Sequence, residues 1–139
     1  LINATDIVTP NYIEALKLTS CYENCELETI AGKMHDMGFK NIIITLGEQG
    51  VYVSLITGEN YMQPALRIKA VDSTAAGDTF NGSLVASLYN RNDIKQSIDY
   101  AIVASGICVS RKGVMESIPY KSDIQEYINN VAGLYGKED

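Results

Sequence analysis

At 139 residues the chain suits one domain, large enough to bury most of a core. An apolar content of 46% with 20% charged residues is ordinary for a globular protein. The net charge of −6, with no clustering of Lys and Arg, excludes a phosphate-neutralising nucleic-acid face. No apolar run approaches the ~20 residues needed to cross a bilayer, so no membrane partner and a cytoplasmic location are expected.

Ile7 and Val8, closed by Thr9-Pro10, read as a short buried strand ending in a loop. Asn11 suits a helix N-cap, with Ile13, Leu16 and Leu18 on the buried side. Leu27 to Met37 is a second helix, with Ile30, Ala31, Met34 and Met37 at helical spacing and Gly38 as its stop. Asn41 to Leu46 is a β-branched run that suits a parallel strand covered on both faces. Gly50 to Ile56 follows a two-glycine turn, and Thr57 to Asn60 turns the chain again. Tyr61-Met62 and Arg67 to Val71 read as short edge strands on either side of Pro64.

A helix then runs from Asp78 to about Asn90, with Phe80, Leu84, Val85 and Leu88 sharing a face. Another starts near Asp93 and carries Ile94, Ile98, Ala101, Ile102 and Val109. Gly113 and Pro119 mark a loop, and a last helix spans Asp123 to Val131. Strands alternating with helices predict an α/β layered sheet with flanking helices.

The three cysteines do not suggest a disulfide framework, and Cys21 and Cys25 lack the further partners of a zinc site, so a reduced chain is expected. His35, the only histidine, suits a helix surface or C-terminus better than catalysis.

Residues 72–83 carry the most chemistry: Asp-Ser-Thr-Ala-Ala-Gly-Asp-Thr-Phe-Asn-Gly-Ser. The small residues Ala75, Ala76 and Gly77 leave a ligand free to approach the backbone. Their amides open a helix, where unpaired donors and the positive dipole end attract anions. A carboxylate at Asp78 repels a phosphate, which makes sense if it takes a proton from an attacking hydroxyl. Alternatively, Asp78 is an ordinary first-turn acid after a tight turn.

The string resembles the second signature of the ribokinase family of carbohydrate kinases (the PfkB group), Asp-Thr-x-Gly-Ala-Gly-Asp. Ser73 stands in the Thr place and Ala75 in the first Gly place, both small. The resemblance runs from Asp6 to about Ile128. It implies a ribokinase-like, Rossmann-type sheet, of which this chain is the C-terminal half. The N-terminal half, with the family's glycine-rich sugar-binding pattern and small β lid, is not recognisable. The start at Leu1 without Met reads as a domain entered partway through.

Three further stretches carry residues over from the family. Asn11 and Glu14 match its Asn-x-x-Glu pair, which organises Mg²⁺ and the ATP phosphates largely through water, although Tyr12 replaces the usual Glu. The same two residues could equally form a capping box alone. Leu46, Gly47, Glu48, Gln49, Gly50 and Val51 match the loop flanking ATP, after a strand's C-terminal end, and Ile102 would pack on the purine face.

The resemblance implies a monovalent cation, K⁺, held by Asp72, Thr74, Cys108, Arg111, Gly113 and Ser117, with Cys108 and Arg111 using backbone carbonyls. The alternative for Asp72 and Arg111 is a salt bridge. With Asp78 as base and Ala75, Ala76 and Gly77 as anion hole, the implied activity is ATP-dependent phosphorylation of a sugar, ribose first, by a homodimeric full-length enzyme. Fructokinase-like, adenosine or pseudouridine kinases and a non-catalytic nucleotide-binding remnant are the alternatives.

Overall fold

The computed structural model describes residues 2–135; Leu1, where the sequence was read as entered partway through, lies outside them. Two compact units divide the chain, Leu1–Ala65 and Leu66–Asp139.

The first unit carries a four-stranded sheet in the order β1 (Ile7–Val8), β2 (Asn41–Thr45), β3 (Val51–Ser54) and β4 (Asn60–Gln63). β1 pairs parallel with β2, whereas β2–β3 and β3–β4 are antiparallel. The sheet is therefore mixed, with the predicted parallel pairing on one side of β2 only. β2 is its hydrophobic centre: Ile42, Ile43 and Ile44 are all 0% exposed although their side chains alternate between faces. Each such burial contributes roughly 1.5–3 kcal/mol. β1 is half-buried rather than buried, because as an edge strand it has one neighbour among the described residues.

Helices α1 (Tyr12–Thr19) and α2 (Leu27–Asp36) pack with this sheet through Ala15, Leu16, Ile30, Ala31 and Met34, which form one cluster with Ile42, Ile44 and Tyr52. The buried stripe of α1 is Ala15, Leu16 and Thr19, with Tyr12 packed beside it. That 12/15/16/19 spacing excludes Ile13 (52% exposed) and Leu18 (41%), which the sequence placed inside. Met37 is likewise exposed, one position past the end of α2, and Gly38 at φ 101° ends the helix. His35 is structural: its ring nitrogens lie 2.9 Å from the Phe39 carbonyl and 2.8 Å from Ser54 Oγ, tying α2 to β3.

The second unit is helical among the described residues, with α3 (Ala76–Tyr89), α4 (Ile94–Val109) and α5 (Lys121–Tyr135). α3 and α5 both pack against α4. The Asp93/Gln96 capping box opens α4, whose Ile98, Ala101, Ala104 and Cys108 are fully buried. α3 buries Phe80, Leu84 and Ser87, leaving Val85 65% exposed because it lies about 100° round the helix from Leu84.

Arg67 to Val71 forms no strand. The Ile68 amide turns back to the Leu66 carbonyl at 2.9 Å, and the Val71 and Asp72 amides donate to the Val109 carbonyl at the end of α4, at 2.7 and 3.1 Å, so these donors serve a turn and a helix terminus instead of a ladder.

Two expectations follow. Gly50 sits at φ 100°, and a Cβ there would lie 2.1 Å from the Gln63 carbonyl oxygen. Gly50→Ala should therefore destabilise the first unit by about 2–4 kcal/mol, read as a lower urea midpoint by far-UV circular dichroism. In the second unit, Arg111 hydrogen-bonds Asp123 at 2.9 Å and the Tyr120 amide adds a further bond, holding that carboxyl below its ordinary value of 3.8. The stabilisation is complete above that value and drains as pH falls below it, because the unfolded chain then binds the proton first. Melting temperature should fall on acidification below about pH 4, and Asp123→Asn should flatten that fall.

Candidate active site

The two units each bring together part of the expected site. In the second, the signature turn is built around Asp72, whose Oδ1 accepts the Thr74 amide at 2.9 Å in an Asx turn. The Gly113 amide approaches its Oδ2 at 3.5 Å. The Thr74 hydroxyl and amide, followed by Gly113, hold the Asp72 carboxyl below the usual carboxylate range. Arg111 turns away to pair with Asp123, so the alternative Asp72–Arg111 salt bridge is not formed.

The next residue but two, Ala75, is the N-cap of α3 at φ 64°, ψ 4°, a left-handed conformation that costs a non-glycine residue roughly 1–2 kcal/mol. This kink sends Ala76, Gly77 and Asp78 into the first helical turn. Among the described residues no acceptor takes the amides of Ala75, Gly77 or Asp78, and Ala76 donates to the Ser73 carbonyl at a long 3.3 Å. The donors left over are thus those of 75, 77 and 78, with 76 shared, a small departure from the expected 75–77 set. A Cβ on Gly77 would meet nothing within 4 Å, so the space before the turn is open. Asp78 is exposed at the rim of this turn.

The residues matched to a monovalent cation are joined by contacts within the same unit. Asp72 bonds Thr74 and Gly113; the Cys108 sulfur lies 3.8 Å from the Thr74 carbonyl and 3.3 Å from Ser117 Oγ; and the Arg111 amide donates to the Cys108 carbonyl at 3.1 Å. The group offers carboxylate, hydroxyl and carbonyl oxygens, the donor chemistry of a hard cation. Among the described residues no cluster of three His, Cys, Asp or Glu side chains could hold a transition metal. Ile102 is 5% exposed, its surface spent on packing, which leaves almost nothing for the expected contact with a purine.

In the first unit, Asn11 and Glu14 form a complete capping box: Asn11 Oδ1 accepts the Glu14 amide and Glu14 Oε2 accepts the Asn11 amide, both at 2.9 Å. Capping uses one polar atom of each side chain and leaves Asn11 Nδ2 and Glu14 Oε1 for other work. Both residues are exposed and line a cavity of about 1100 Å³, together with Leu46, Gly47 and Gln49.

The cavity lies where β1 and β2 end, since Asn11 bridges Thr45 in parallel and the Thr45 amide donates to the Pro10 carbonyl at 2.9 Å. Ligands gather at that end of parallel strands. Glu48 is exposed but does not line it, and Gly50 and Val51 are buried in the hairpin. Sequence reasoning missed Lys17, the one cation on the cavity wall, three residues after Glu14 and hence on the same helix face. It also missed the Cys108 thiol, to which only a carbonyl role was given.

The chain matches the model of the pfkB family carbohydrate kinases over residues 1–121. It is 36% identical over 132 residues to the ribokinase of Haemophilus influenzae, covering 94% of this chain and 43% of that one. Ribokinase from Thermotoga maritima superposes with a TM-score of 0.85 at 32% identity, over 92% of this chain and 43% of that one. Arabidopsis thaliana ribokinase, solved with ribose and ATP, gives 0.82 at 26% identity, over 91% and 41%. The chain spans about two fifths of the length of these proteins. Its matched residues and its α/β architecture agree: the chain belongs to the pfkB family of carbohydrate kinases.

Proposed function

We propose that the chain is the C-terminal, nucleotide-binding and catalytic portion of a sugar kinase that transfers the γ-phosphoryl group of ATP to a sugar hydroxyl, with ribose as first substrate. The observation that carries this reading is the α3 turn: an exposed carboxylate, Asp78, stands beside amides that have no acceptor among the described residues and a glycine whose Cβ position is open.

Phosphoryl transfer passes through a loose transition state, so positioning and charge compensation supply most of the catalysis. The amides of Ala75, Gly77 and Asp78, with Ala76, would hold the charge that spreads over the moving phosphoryl oxygens. Asp78 would accept the proton of the attacking hydroxyl. Asn11 Nδ2 and Glu14 Oε1 would face the phosphate end of ATP, with Glu14 acting on Mg²⁺ through water, as suits an ion that keeps several of its waters. Mg²⁺ supplies charge neutralisation on the phosphates when bound. Leu46, Gly47 and Gln49 line the cavity that would take the nucleotide. The oxygens of Asp72, Thr74, Cys108, Arg111, Gly113 and Ser117, with Cys108 and Arg111 using their carbonyls, would hold K⁺ and fix the loop beside the turn. The ribokinases of Haemophilus influenzae and Thermotoga maritima, similar to this chain at 36% and 32% identity, support ribose as its first substrate.

Three measurements test this. In the intact kinase, Asp78→Asn should lower kcat by about 10²–10⁴-fold while the ATP dissociation constant stays within a few-fold; substantial residual turnover would exclude Asp78 as base. Gly77→Ala should fold normally, because its Cβ meets no neighbour, yet lose tenfold or more of kcat/KM as the methyl enters the phosphoryl space, an effect on the order of a lost oxyanion donor. The 139-residue chain alone should bind ATP weakly and phosphorylate ribose poorly; efficient turnover by it would refute the assignment to a C-terminal portion.

A further inference from the structure

Cys108, in the last turn of α4, is fully buried, and its sulfur is the centre of a polar knot. Thr79 Oγ1 donates to it at 3.4 Å; Ser117 Oγ lies 3.3 Å away; the Thr74 carbonyl lies 3.8 Å away. Thr79 and Ser117 are themselves buried, so these hydroxyls have no water to turn to.

The protons can be assigned by elimination. The Ser117 hydroxyl donates to the Val114 carbonyl at 2.8 Å, so it can only accept from the thiol. The Thr79 proton goes to the sulfur, and the single S–H is shared between Ser117 Oγ at 3.3 Å and the Thr74 carbonyl at 3.8 Å. Each of the three donors, Thr79, Cys108 and Ser117, is then used, and the chain ends on the Val114 carbonyl.

The placement of these partners is what matters. Thr74 is the residue before the phosphate-facing turn and Thr79 the residue after it, so one sulfur touches both ends of the segment Ala75–Asp78. Ser117 adds the 113–117 loop to the same knot. Between the two threonines sits Ala75, at φ 64°, a conformation that persists only where the surroundings over-determine it. Glycine would adopt it freely; alanine has to be held there.

We propose that the Cys108 thiol is a positioning residue: it clamps Thr74 and Thr79, keeps strained Ala75 in the left-handed region, and so aims the turn amides and Asp78 at the transferred group. This rests on the kinase reading above for its consequence in catalysis, but the clamp itself is a statement about the fold of the second unit.

Two readouts on the intact protein test it, with Cys108→Ala and Cys108→Ser. First, amide hydrogen exchange: Thr79, bonded to the Ala75 carbonyl at 2.9 Å, and Thr74, bonded to Asp72, should each exchange about tenfold or more faster in Cys108→Ala. Ser97, bonded to the Asp93 carbonyl at the far end of α4, should be unchanged, and Cys108→Ser should restore most of the protection. Unchanged exchange at Thr74 and Thr79, or an equal rise at Ser97, overturns the clamp.

Second, steady-state kinetics: Cys108→Ala should lose about tenfold in kcat with the KM for ATP within twofold, and Cys108→Ser should recover at least a third of wild-type kcat. A drop in melting temperature with kcat unchanged would reduce Cys108 to packing and overturn its positioning role. If the wild-type protein phosphorylates no sugar, the kinase reading fails, and the exchange measurement still decides the clamp.

Discussion

A protein that uses its own backbone to grip a phosphoryl group has to keep those amides away from its other acceptors. Helices solve this by construction, because the first N–H groups of each have no carbonyl four residues back. What α3 adds is the direction of approach. Ala75 enters at φ 64° instead of from the extended region used by Asn11 and Asp93, the N-caps of α1 and α4. Those two cap their helices with side-chain oxygens, each of which takes up one of the free donors, the amide of Glu14 or of Gln96. Ala75 has no such oxygen, and the donors at 77 and 78 stay available. The same position that costs backbone strain is thus the one that leaves the turn able to bind.

The contrast with Asn11 and Glu14 shows how one pair can serve two ends. Capping and ligand binding are alternatives only when they compete for the same atoms. The reciprocal box uses Asn11 Oδ1 and Glu14 Oε2 and fixes both side chains in one rotamer. The remaining amide nitrogen and carboxylate oxygen are then held at the mouth of the cavity with little entropy left to lose on binding. A capping box would therefore pre-orient the proposed water-mediated Mg²⁺ contact, and the two uses are compatible because they take different atoms.

Much of this was legible in the sequence, and the failures have physical causes. The helix starts at Asn11 and Asp93, the stop at Gly38 and the central strand at Ile42–Ile44 depend on local chemistry, and they are where the sequence puts them. Strand pairing is non-local, which is why Arg67 to Val71 reads as a strand although Ile68 turns back to Leu66 and Val71 donates to the end of α4. Ile13, Leu18 and Val85 are apolar residues one step off a buried stripe, and composition alone cannot separate them from their neighbours. The signature turn was legible because it requires small residues and an acid at fixed spacing. Its left-handed kink was hidden, because alanine there carries no sign of positive φ.

The contacts of the Cys108 thiol were illegible for a related reason, although the residues around it were named together in the sequence. Backbone carbonyl ligands impose little on side-chain identity, so the proposed cation site would tolerate cysteine at 108 and arginine at 111, and the arginine side chain pairs elsewhere. That freedom allows the side chains to acquire separate duties. Arg111 secures α5 through Asp123, and Cys108 turns its sulfur toward two threonines and a serine. Where an alanine in place of glycine raises the strain at 75, a polarisable, buried thiol beneath the turn supplies weak bonds to both flanks at once.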